Sequence, residues 1–267
     1  MAGLASESPG DAVMPDEQSG TARQQERRNH AMGSQIRLHE LVESLNPDGS
    51  PLTILTAPGS VQGMDVSSYQ GNVNWSSAWS KGARFAYVKA TEGTFYVNSY
   101  FAQQYNGSYN QGMTRGAYHF ARPDRSSGSA QADYFVNHGG GWSADGRTLP
   151  GTLDIEYNPS GSTCYGLSNS SMVSWIKSFS DRYRSRTGRY PVIYTTTNWW
   201  TQCTGNRTNF GNNNPLWIAN YGATAGSLPY GWTYYTFWQY ADHGAFPGDQ
   251  DVFNGDASRL AIFASGD

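Results

Sequence analysis

The chain has 267 residues, enough for one large domain or two small ones, and its 37% of hydrophobic residues can enclose a core only if the domain packs tightly. Lys and Arg number 18 against 21 Asp and Glu, a net charge of −3, so there is no basic field to grip nucleic acid. No run of about 18 apolar residues occurs, and membrane insertion is therefore not expected.

The first residues, MAGLASESPGDAVMPDEQ, contain neither a basic segment nor an apolar one, so no secretory signal is visible. Residues 1–61 carry eight acids and four bases, and they are rich in Ser, Gly, Pro, Gln and Glu. Such a composition buries too little apolar surface to offset ordering entropy, and it reads as an N-terminal tail or propeptide-like segment. Within it, Ile36, Leu38, Leu41, Val42 and Leu45 have near-helical spacing, which suits a short helix docking on the main domain. Pro47, Pro51 and Pro58 mark a linker.

From residue 62 to 267 short apolar runs alternate with helical stretches. Strands are predicted at Gly63 to Val66, Arg84 to Ala90, Gly116 to Phe120, Gly151 to Glu156 and Pro191 to Thr195, with helices near 75–81, 98–112, 129–138 and 171–186. Met172, Val173, Ile176, Phe179 and Tyr183 form the clearest helical stripe, which Gly188 ends. Beyond Cys203, Pro215 to Ala219, Tyr235 to Tyr240 and a short segment near Asp251 look like strands with no long helix between them, and only 256–264 looks helical again. Eight strand candidates with helices concentrated early suggest an α/β fold, an irregular TIM-like (β/α) barrel, with an open doubly wound sheet as the alternative. Cys164 and Cys203, if the protein is exported, would close a loop whose bridging stabilises by about 4 kcal/mol on the chain-entropy model; two free thiols are the alternative.

The segment Leu149-Pro-Gly-Thr-Leu-Asp-Ile-Glu156 ends an apolar strand in two acids separated by one residue. Side chains at i and i+2 share a strand face, so Asp154 and Glu156 enter the same space, and two carboxylates in one cleft resist double ionisation. One then keeps a proton for general acid catalysis. Asp65 ends the first strand and, in a barrel, would reach the same mouth. Lys89 and Glu92 end the second, where either substrate contact or an internal ion pair is in keeping with the sequence. Tyr118, Tyr194, Asn220, Tyr221, Trp238 and Gln239 lie at other strand ends, a set of rings and amides able to hold an uncharged sugar. His119 is expected to pack internally. Scattered histidines argue against a zinc site, and no metal or cofactor is expected. Nucleotide loops and serine-hydrolase elbows are absent from the sequence.

Together these residues resemble the glycoside hydrolase family 25 lysozymes, the Chalaropsis-type muramidases, and within them the secreted actinobacterial enzymes. The resemblance rests on Gly63-Met-Asp-Val-Ser-Ser-Tyr-Gln-Gly71, Phe85-Ala-Tyr-Val-Lys-Ala-Thr-Glu-Gly93, Arg115-Gly-Ala-Tyr-His-Phe120, Leu153-Asp-Ile-Glu156, Pro191-Val-Ile-Tyr194, Leu216-Trp-Ile-Ala219, Phe237-Trp-Gln-Tyr240 and Asp249-Gln-Asp-Val-Phe-Asn-Gly255. It implies a β5α5β3 barrel, a Cys164–Cys203 disulfide, and a secreted enzyme that hydrolyses the β-1,4 bond between N-acetylmuramic acid and N-acetylglucosamine in peptidoglycan; a monomer is expected. It implies Glu156 as proton donor, Asp65 and Asp154 as assisting carboxylates and Asp249 as a further acid, with Asp251 confusable with it. The resemblance suggests retention of configuration; either an aspartate attacks directly or the substrate's own N-acetyl carbonyl attacks while Asp154 orients it, and the Asp154–Glu156 spacing fits the second version better. A chitinase-like glycosidase and a non-catalytic wall-binding module are the competing readings; the first lacks the longer acidic run, with Gly151 and Thr152 where further acids would be needed.

Overall fold

The computed structural model describes residues 30–42 and 53–266. Leu45, Pro47 and Pro51 of the expected tail helix and linker lie outside the described residues. In chain order the elements are α1 (Ile36–His39), β1 (Val61–Val66), α2 (Trp75–Ser80), β2 (Phe85–Glu92), β3 (Tyr96–Val97), α3 (Phe101–Asn110), β4 (Thr114–Phe120), α4 (Gly128–Phe135), β5 (Thr152–Asp154), α5 (Asn169–Thr187), β6 (Val192–Thr195), α6 (Thr197–Thr204), β7 (Leu216–Ala219), β8 (Phe237–Ala241), β9 (Asp249–Phe253) and α7 (Ala257–Ser265).

Eight strands close a ring in the order β1, β2, β4, β5, β6, β7, β8, β9, with β9 returning to β1 and β3 attached outside as the return arm of a hairpin from β2. Neighbours from β1 to β8 are parallel, whereas β9 runs antiparallel to both β8 and β1. The first five ring strands are each followed by a helix, the last three run on with no helix between them before α7 ends the chain, which is the β5α5β3 arrangement, and closure removes the open-sheet alternative. The reversal of β9 has a direct result for the site. Asp249, at the start of that strand, pairs with Asp65 at the end of β1, so both reach the same mouth.

Alternation along the strands builds two apolar layers. Inward residues including Phe85, Tyr87, Tyr118, Tyr194, Trp217, Phe237 and Phe253 fill the bore. Outward residues such as Leu153, Ile193, Ile218 and Val252 pack with α5 and α6. Gly116 makes room inside: a Cβ there would run into the Tyr87 ring, whose hydroxyl donates to the Pro150 carbonyl at 3.0 Å. Helix α5 is specified locally and by packing. Ser168 caps its start by accepting from Ser171 N–H, Met172, Ile176, Phe179 and Tyr183 are buried, and Gly188 ends it in the left-handed conformation.

The Cys164–Cys203 disulfide joins the loop after β5 to α6, with Cα atoms 5.3 Å apart. Helix α1 spans barely one turn and so presents only one face to the barrel. Ile36 is buried and Val42 packs beside it, while Leu38 and Leu41 point outward, 73% and 98% exposed, contrary to the expected stripe. Among the described residues no helix is long and apolar enough to cross a membrane.

Candidate active site

Strand alternation brings the acids together. On β1, Met64 and Val66 face the outer apolar layer and Asp65 the bore; on β5, Leu153 faces out and Asp154 in, and Glu156 continues the alternation two residues beyond the strand. Asp154 and Glu156 therefore share one buried space, where the charge of Glu156 bears on Asp154; among the described residues neither oxygen of Asp154 nor Glu156 Oε2 has a hydrogen-bond partner. Asp65 and Asp251 are a second pair of acids whose charges bear on each other; Asp251 Oδ1 accepts from Trp217 Nε1 at 3.2 Å and its Oδ2 has no hydrogen-bond partner among the described residues. Gln239 ties the strands together: its amide donates to Asp65 Oδ2 at 2.7 Å and Asp249 Oδ2 at 3.0 Å, and its carbonyl accepts from the hydroxyls of Tyr194 at 2.7 Å and Tyr221 at 3.1 Å.

Burial sets the protonation of this group. Loss of hydration pushes Glu156 up to about 8 and Asp65 up to about 7. Asp154 and Asp251 are raised well above the carboxylate range, first by burial and then by the charges of Glu156 and Asp65 respectively. Each acid pair thus holds a proton at neutral pH. At the neighbouring strand end the balance is opposite: Glu92, equally buried, accepts from Lys89 at 3.0 Å and Arg122 at 3.2 Å. Burial opposes its ionisation, but the Lys89 charge and hydrogen bonds outweigh it and bring Glu92 down to about 2.

Residues 30–36 lie in the mouth. Gly33 N–H donates to Glu156 Oε1 at 2.7 Å, Gly33 C=O accepts from Tyr221 at 3.4 Å, and Met32 N–H donates to the Tyr118 hydroxyl at 3.4 Å. His30 Nδ1 lies 2.8 Å from Glu92 Oε1, and its carbonyl accepts from Lys89 Nζ. Further along, His39 stacks on Tyr157 with ring centres 4.2 Å apart, Glu40 accepts from the Tyr157 hydroxyl at 2.7 Å, and Arg37 pairs with Asp242. With this segment in place Glu156, Asp154 and Asp65 are 0%, 1% and 3% exposed.

Of the residues singled out in the sequence, Asp65, Asp154, Glu156, Tyr118, Tyr194, Tyr221, Gln239 and Asp249 gather here, with the ion-paired Lys89 and Glu92 beside them. Asn220 sits at the rim and donates to the Thr224 carbonyl. Trp238 is corrected: alternation on β8 turns it opposite to Gln239, into the layer between strands and helices, where its indole N–H donates to the Asn220 carbonyl. His119 is internal, held by Thr91 and Gln131, and burial lowers it to about 4, so it is neutral. Three features escape sequence reasoning. Asp251 is the inner partner of Asp65 and not merely a neighbour of Asp249; Arg122 completes the Glu92 cluster; and Gly33 reaches the acids from the tail. Only Asp251 had a signal, its i+2 spacing from Asp249. Among the described residues no group of three or more His, Cys, Asp or Glu is arranged to hold a metal ion.

Comparison with known proteins agrees with this geometry. Residues 64–249 match the family model for glycosyl hydrolases family 25. The chain is 53% identical over 210 residues to lysozyme M1 of Streptomyces globisporus, covering 77% of this chain and 71% of that protein. It is also 53% identical over 210 residues to the N,O-diacetylmuramidase of Chalaropsis, covering 77% of this chain and 100% of the relative. The solved muramidase of Acremonium alcalophilum superposes with a TM-score of 0.76 at 57% identity, over 78% of this chain and 100% of that one. A closed barrel with acids clustered at one mouth, and these relatives, identify the chain as a member of glycosyl hydrolase family 25, a muramidase whose substrate is peptidoglycan.

Proposed function

We propose that Glu156 is the general acid of a retaining hydrolysis in which the substrate's own N-acetyl group attacks and Asp154 orients it. The observation that carries this reading is that Asp154 and Glu156 lie on the same face of β5 and its continuation, both buried in one space. A carboxylate acting as nucleophile must approach the anomeric carbon from the face opposite the leaving oxygen, across the sugar from the acid. Asp154 stands on the same strand face as the acid, two residues before it, with both oxygens unpartnered among the described residues, so it is poorly placed for direct attack and well placed to accept from an acetamido N–H.

The retained proton then finds its role. An acetamido N–H donated to Asp154 favours its ionised form, which leaves the proton on Glu156. Glu156 gives that proton to the glycosidic oxygen as the bond to the muramic acid C1 breaks, and the acetamido carbonyl oxygen bonds to C1 on the opposite face. Positive charge developing at C1 and on the acetamido nitrogen is met by Asp65, which Gln239 holds in position, and by Asp154. Water entering where the leaving sugar departed loses a proton to Glu156 and attacks C1, reopening the ring and restoring the original configuration. Tyr118, Tyr194, Tyr221 and Asp249 line the place of the sugar and supply polar groups for its hydroxyls, while Lys89 and Glu92 form the wall beside it.

The disulfide supports an exported enzyme, since such bridges persist in oxidising compartments. Every acid of the site comes from one chain, which supports action as a monomer. Mass spectrometry of fragments released from purified peptidoglycan tests the bond cleaved: new reducing ends on N-acetylmuramic acid are expected, and ends on N-acetylglucosamine overturn the assignment. Proton NMR of the first product anomer tests retention.

A further inference from the structure

We propose that residues 30–42 are an intramolecular inhibitor that fills the glycan groove of this muramidase and must leave it before peptidoglycan can bind. The inference rests on the assignment of Glu156 as the acid. A general acid works within hydrogen-bond reach of the oxygen it protonates. Gly33 N stands 2.7 Å from Glu156 Oε1, in the volume that a glycosidic oxygen has to enter.

The occupant also matches the groove chemically. Uncharged backbone N–H and C=O groups of Met32 and Gly33 engage Tyr118, Glu156 and Tyr221, the hydroxyls and acid available to the acetamido and hydroxyl groups of a sugar. Gly33 adopts φ +73°, and a Cβ on it would collide with the side-chain oxygens of Tyr221, Gln239 and Tyr194; only glycine reaches this depth. The flanks anchor it. Met32 and Ile36 are each 1% exposed in the inner apolar cluster, and Arg37, His39 and Glu40 make an ion pair, a ring stack and a hydrogen bond outside it.

The inhibitory chemistry is specific too. An N–H donor on Glu156 favours its ionised form, the form that cannot donate, so the segment both excludes substrate and opposes the protonation that catalysis needs. Covalent attachment raises the segment's effective concentration to the millimolar range typical of short tethers, which a polymeric substrate with weak individual subsites does not easily match. Residues 53–60, between the segment and β1, are mostly exposed, with Leu55 at 67%, so the tether is open to a protease.

The test uses the full chain and two variants outside the barrel. Gly33→Val introduces the colliding side chain, and Ile36→Asp places a carboxylate in the apolar seat. Hydrogen-exchange mass spectrometry reads occupancy of the groove, release of reducing ends from purified peptidoglycan reads activity, and near-ultraviolet circular dichroism checks the barrel. Residues 30–42 are expected to be protected in the parent and unprotected in both variants, with a rise in rate of at least tenfold. A synthetic peptide of residues 30–42 should return the variants toward the parental rate, and the same peptide carrying valine at position 33 should not. Unprotected residues 30–42 in the parent, or equal rates once they are displaced, overturn the proposal. Retention of full activity by Glu156→Gln in the Ile36→Asp background would sink the assignment of the acid instead, without altering the exchange result.

Discussion

Two groups of buried carboxylates share the mouth of this barrel and are held in opposite states. Asp65, Asp154, Glu156 and Asp251 face one another and find hydroxyls, amides and an indole around them; Glu92 faces Lys89 and Arg122. Burial alone penalises charge in both places. What separates them is the nearest partner: with no cation in contact among the described residues, burial keeps a proton in the first group, whereas Lys89 and His30 expel it from Glu92. A buried carboxylate here is therefore an acid or an anchor according to its neighbours, not its depth.

The largest effect should follow from breaking the first group. Glu156→Gln keeps shape and hydrogen bonding but removes the transferable proton, and, made in the Ile36→Asp chain, it should lower turnover by about 10³-fold, within the usual range for a general acid. Reducing-end release against peptidoglycan measures it, and circular dichroism should show an unaltered fold. Loss of the second group appears in stability. Glu92→Gln leaves Lys89 and Arg122 buried without their shared anion, an arrangement that costs about 3 kcal/mol when a buried pair is broken. Urea unfolding at pH 7 should show that loss. A change below about 1 kcal/mol would mean that the cations find other partners.

Stability against pH sharpens the contrast, because the two groups have opposite signs. Glu92 is depressed in the folded protein, so its contribution is present above the ordinary glutamate value near 4.5 and is lost as pH falls toward about 2. Glu156 is raised, so the fold is unopposed by it below about 4.5 and loses stability as pH climbs toward about 8. Relative to the parent, Glu92→Gln should be most destabilised near neutrality and converge with it near pH 2. Glu156→Gln should match the parent near pH 4 and exceed it at pH 8. Parallel unfolding curves for the parent and both variants would remove the difference between the two groups.

Much of this was legible in the sequence because it depends on short-range pattern. Apolar runs ending in acids locate β1, β2 and β5, and the stripe from Met172 to Tyr183 locates α5. The missed elements lack such a pattern. Helix α6, Thr197–Thr204, is short and has adjacent Trp199 and Trp200 in place of a spaced stripe, and β3 has two residues. Periodicity also carries no direction, so the reversal of β9, which puts Asp249 at the mouth and Asp251 below it, could not be read from Asp-Gln-Asp. Trp238 was misplaced because an aromatic at a strand end is equally suited to either face; only the ladder with Gln239 as the inward residue decides. Docking of Gly33 is less legible still, since Met-Gly-Ser announces a turn but not what lies beneath it.

The smallest expected effect tests whether the inner acid of the first group behaves as the neutral partner that the comparison requires. Asp251 is fully buried, receives a hydrogen bond from Trp217 and is kept protonated by burial and by the charge of Asp65. Asparagine reproduces a neutral side chain with a donor, so Asp251→Asn, again in the Ile36→Asp background, should change turnover at pH 6 by less than about threefold, under roughly 0.7 kcal/mol of barrier. A loss of a hundredfold or more at pH 6 would show that charge on Asp251 is needed during turnover, and the first group would then contain an anchor of the Glu92 kind.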